Sequence, residues 1–85
     1  MKKNNFVIDF GEGNYVIGYF IMNKKYYMVL ISINDGNRWE EPFEITKDQF
    51  DYLIYGKRIE IKKLVAEKLN KIGYETMPSK ITFVK

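Results

Sequence analysis

The side chains able to do chemistry in this 85-residue chain are carboxylates, tyrosines and lysines, because it contains neither cysteine nor histidine. Disulfides, thiolate nucleophiles, the usual zinc ligands and the commonest general base near neutral pH are thereby removed. Among the carboxylates, Glu40 and Glu41 are adjacent in a segment with strand character, so they point to opposite faces and cannot act as a pair. Glu40 and Glu44 share a face, which is too loose a constraint to assign an acid and a base. Asp48 and Asp51 stand three apart at a helix start, where negative charge suits the helix dipole without any ligand. Gly11-Glu12-Gly13 resembles the beginning of a phosphate loop, but no third glycine and no helix follow, and a turn between strands is the better reading. These residues assign no catalytic site, no metal site and no cofactor, and the chain reads as non-enzymatic.

Basic and aromatic residues offer binding instead. Lys57, Arg58, Lys62, Lys63, Lys68 and Lys71 crowd one segment, which keeps a net charge of +4 against Glu60 and Glu67. Together with sheet tyrosines they could hold nucleic acid through its phosphates and stacked bases. Residues 35–51 oppose this with a net charge of −4, from six carboxylates against Arg38 and Lys47, and the whole chain carries only +3. No helix-turn-helix or RNP-type signature accompanies the lysines. The other binding reading is a protein surface on the strand residues Tyr15, Ile17, Tyr19, Ile21, Tyr26 and Met28, since Tyr and Met are enriched at the cores of interfaces.

What positions those residues is a hairpin. Tyr15–Met22 and Tyr26–Ile33 are dense in β-branched and aromatic residues, and a two-residue loop at Asn23-Lys24 joins them. That loop sets Met22 opposite Lys25, Phe20 opposite Tyr27, Gly18 opposite Val29 and Val16 opposite Ile31. One face then carries Val16, Gly18, Phe20, Met22, Tyr27, Val29, Ile31 and Ile33, and the other carries Tyr15, Ile17, Tyr19, Ile21, Tyr26, Met28, Leu30 and Ser32. Neither arm alternates between apolar and polar residues, the pattern of strands covered on both sides. The face around Gly18, Val29 and Ile31 is expected beneath helices. The tyrosine face is either a working surface or is folded inward by curvature of the sheet.

Flanking elements follow from turns and caps. Asn5–Phe10 reads as a first strand, with Phe6, Ile8 and Phe10 on one side. Asn34-Asp35-Gly36-Asn37 turns the chain into a fourth strand, Arg38–Ile45. A three-residue loop is preferred there, pairing Ile33 with Asn37 and setting Trp39 opposite Ile31 and Phe43 opposite Tyr27. A two-residue loop would instead set Phe43 opposite Met28 and Ile45 opposite Tyr26. Pro42 places this strand at an edge. Thr46 and Gln49 form a capping box, with Ile45 and Phe50 as a hydrophobic staple, and start a helix that buries Phe50, Leu53 and Ile54 and ends at Gly56. A second helix, Arg58–Ile72, turns Ile61, Leu64, Val65, Leu69 and Ile72 inward, and a last strand begins at Lys80.

The expected fold is therefore α+β: an antiparallel meander sheet of four to five strands with two consecutive helices on one face, in the order β-β-β-β-α-α-β, as a single domain over residues 1–85. Hydrophobic content of 46% with 29% charged residues suits a folded domain. No apolar run reaches bilayer length and the N-terminal residues lack a signal peptide's apolar core, so a cytoplasmic location is expected. A single alanine among many Ile, Lys, Asn and Tyr points to an AT-rich bacterial genome or one of its phages or mobile elements. The expected function is a small protein-binding regulator or inhibitor, with self-association as one form of that binding; nucleic-acid binding through the basic helix is the alternative.

Overall fold

The computed structural model describes residues 2–11, 13–34 and 36–84. Glu12 and Asp35, and the side chains of residues 2–6, Trp39 and Glu40, lie outside the described residues. The strands are β1 (Lys2–Asp9), β2 (Asn14–Met22), β3 (Lys25–Ser32), β4 (Arg38–Ile45) and β5 (Thr82–Val84), and the helices α1 (Lys47–Tyr55) and α2 (Arg58–Lys71) lie between β4 and β5. They form one antiparallel sheet in the order β4-β3-β2-β1-β5, the α+β arrangement expected from the sequence.

The β2–β3 register is the one the two-residue loop dictates, from Met22↔Lys25 through Gly18↔Val29 to Tyr15↔Ser32. Asn23 and Lys24 both adopt left-handed backbone, with φ of 53° and 66°. That pair of angles is the type I′ requirement, and its twist matches the strands it joins. Lys24 holds it without the freedom a glycine would have.

The β3–β4 pairing differs from expectation. Near the turn, Ser32 N–H donates to the Asn37 carbonyl at 2.9 Å, and Ile31 pairs with Arg38 and Leu30 with Trp39. The loop is thus four residues long, closed by Gly36 N–H donating to the Ser32 carbonyl. Farther along, Met28 pairs with Phe43 and Tyr26 with Ile45. Between these two registers β4 bulges at Glu40, Glu41 and Pro42, opposite Val29. A bulge on an edge strand is where a residue lacking an N–H donor does least harm.

Ile45 shares a face with Tyr26, and it is from that face that the chain enters α1. Gln49 N–H donates to Thr46 Oγ1 at 3.1 Å, and Thr46 N–H donates to Gln49 Oε1 at 2.9 Å, completing the capping box. Gly56 ends α1 in left-handed backbone, φ 65°. At the end of α2, Gly73 N–H donates to the Asn70 carbonyl and Tyr74 N–H to the Leu69 carbonyl, a Schellman closure. Asn70 Oδ1 then accepts from Thr76 N–H at 3.0 Å, tying the following loop to the helix.

The helices lie on the tyrosine face, not on the face around Val29. Ile17, Met28 and Leu30 are fully buried beneath Phe50, Leu53, Ile61, Leu64, Val65 and Leu69, joined by Ile8, Phe10 and Ile81 from the flanks. Phe50 stands edge-on to Tyr19, with ring centroids 5.4 Å apart, and 5.0 Å from Tyr26. Two residues expected to point inward do not: Ile54 and Ile72 are about half exposed, while Ala66 and the stem of Lys68 are buried instead.

Two substitutions test the local devices. Lys24→Gly is expected to raise stability by about 1 kcal/mol, because it removes a side chain from left-handed backbone. Thr46→Ala is expected to lower it by about 1 kcal/mol through loss of the cap. Each corresponds to a shift of about 4–8 °C in a thermal melt.

Candidate functional site

The positions first singled out for a protein partner divide sharply. Ile17 and Met28 have no accessible surface, Tyr19 is buried, Tyr15 and Tyr26 pack against the same core, and Ile21 alone is mainly exposed. This is a correction of geometry. The chain's own helices already cover the tyrosine face, since Ile45 leads α1 onto it.

The basic residues do not gather into one patch. Successive residues of an α-helix point about 100° apart, so Lys62 and Lys63 diverge. Lys63 and Lys71 lie on the outer side of α2 with Glu67 between them, around a shallow surface hollow that also touches Asn70 and Pro78. Lys68 runs its stem through buried surface and sets Nζ 3.5 Å from Glu67. Arg58 covers the Phe83 ring, 5.3 Å from its centroid, and Lys57 is exposed at the helix start. Glu60 and Glu67 interrupt what remains.

On α1, Lys47 Nζ lies 3.4 Å from Asp51 Oδ2, and this hydrogen-bonded carboxylate raises the Lys47 ammonium above its ordinary value. The contribution is therefore complete at neutral pH and fades only as the pH climbs past that of a free lysine. Among the described residues no group of three or more acidic side chains is arranged to hold a metal ion, and no helix is long and apolar enough to cross a membrane.

The surface that remains is the other side of the sheet. Register places Val84, Val7, Val16, Ile31 and Arg38 in one row across all five strands. A second row holds Gly18 opposite Val29, and a third holds Phe20, Tyr27 and Glu44. Phe20 and Tyr27 stack with centroids 5.2 Å apart and 18° between their planes. They line a groove of about 400 Å³ with Met22, Arg38, Glu41 and Pro42. Val29 and Ile31 are buried on this side, yet they belong to no cluster with the helices. The charges around it balance: Lys25 lies 3.9 Å from Glu44, and Arg38 and Glu41 stand on the groove itself.

These residues were visible in the sequence as one face of the hairpin. That face is expected beneath helices, and the structure instead turns Phe20, Met22 and Tyr27 away from them, beside Arg38 and Glu41 of β4. The usable signal lay in the flanking strands, where Asp9 and Thr82, paired with each other, alternate with Ile8 and Ile81 and mark the side away from the helices. No protein-family model matches this chain, and comparison with curated proteins and with solved structures finds no match.

The two faces should respond differently to the same charge. Tyr19→Lys is expected to destabilise the fold by about 3 kcal/mol or more, because it buries an ammonium under α1. Met22→Lys should stay within about 0.5 kcal/mol, its side chain being half exposed on the other side. Urea denaturation of the two variants measures the contrast.

Proposed function

We propose that this is a small non-enzymatic, cytoplasmic regulator or inhibitor that acts by binding protein through the helix-free face of its sheet. The observation that carries this reading is the stacked Phe20–Tyr27 pair, half-exposed on the side of the sheet away from both helices. A contiguous apolar patch on a small domain marks an interaction surface, and aromatic residues at its centre supply most of the contact energy in such surfaces. Charge argues for protein over nucleic acid. Lys25 and Arg38 are matched by Glu44 and Glu41, so the face offers a polyanion no net attraction.

Affinity capture with wild-type chain, a Phe20→Ser/Tyr27→Ser variant and an outer-helix control, Lys63→Ser, tests the reading. The sheet variant is expected to lose the proteins that both others retain, while its melting temperature falls by only a few degrees. Equal recovery by all three, from folded protein, would reject it. Retardation of DNA or RNA at low salt would favour the lysines of α2 instead; none is expected.

A further inference from the structure

We draw no further inference here: the strongest candidate, the groove beside β4 lined by Phe20, Met22, Tyr27, Arg38, Glu41 and Pro42 on the side of the sheet away from the helices, belongs to the surface already described, and nothing in the structure shows what covers it.

Discussion

The whole arrangement depends on which side of the sheet the chain leaves at Ile45. Side chains alternate along a strand, so the parity of the β3–β4 pairing decides whether Ile45 joins the tyrosine face or the Val29 face. Opposite Tyr26 it joins the tyrosines. Thr46 then caps α1 at once, and Phe50 packs against Tyr19 and Tyr26. The short connection through Gly56 and Lys57 carries α2 onto the same face. Burial of Ile17, Met28 and Leu30 follows from that single choice, as does exposure of Phe20 and Tyr27.

Much of this was legible in residues whose chemistry is local. Asn23-Lys24 defined its hairpin, Thr46 and Gln49 their cap, Gly56 and Gly73 their helix ends, and Pro42 an edge strand, because each acts through neighbours within a few residues. The face taken by the helices was not local. A three-residue loop before β4 and a core around Val29 are mutually consistent, because changing the register by one residue moves Ile45 and Glu44 together. Glu44 points away from the helices under either assignment. The observed four-residue loop and the bulge at Pro42 shift the register by even numbers relative to a two-residue turn, which returns Ile45 to Tyr26. A bulge of this kind leaves no signature in hydrophobic periodicity except the proline itself.

The basic helix shows the same limit in another form. Six cations within residues 57–71 look like a patch when read along the chain, but helical geometry spreads them around the cylinder. Phe83 claims Arg58 by a cation–π contact, and Glu67 claims the ammonium of Lys68 while its methylenes extend the core. Lys63 and Lys71 share one hollow with Glu67 between them, and Lys62 points away from it. Their number reflects the need to solvate an outer surface that already exposes Ile59, Ile72 and Met77.

The side of the sheet away from the helices is apolar, with Val29 and Ile31 buried and Phe20 and Tyr27 half-buried. Both edges of this sheet are poor templates for strand addition. β5 is three residues long, and β4 is broken by a bulge that includes Pro42. Natural sheets use these devices to prevent edge-to-edge growth. With its edges blunted, the sheet offers neither end strand as a template for strand addition. The β2–β3 hairpin lies at the centre of the side away from the helices as it lies at the centre of the core, and this accounts for its failure to alternate. Ile17, Met28 and Leu30 are apolar for the helices within the chain. Val16, Phe20, Tyr27 and Ile31 lie on the side away from those helices.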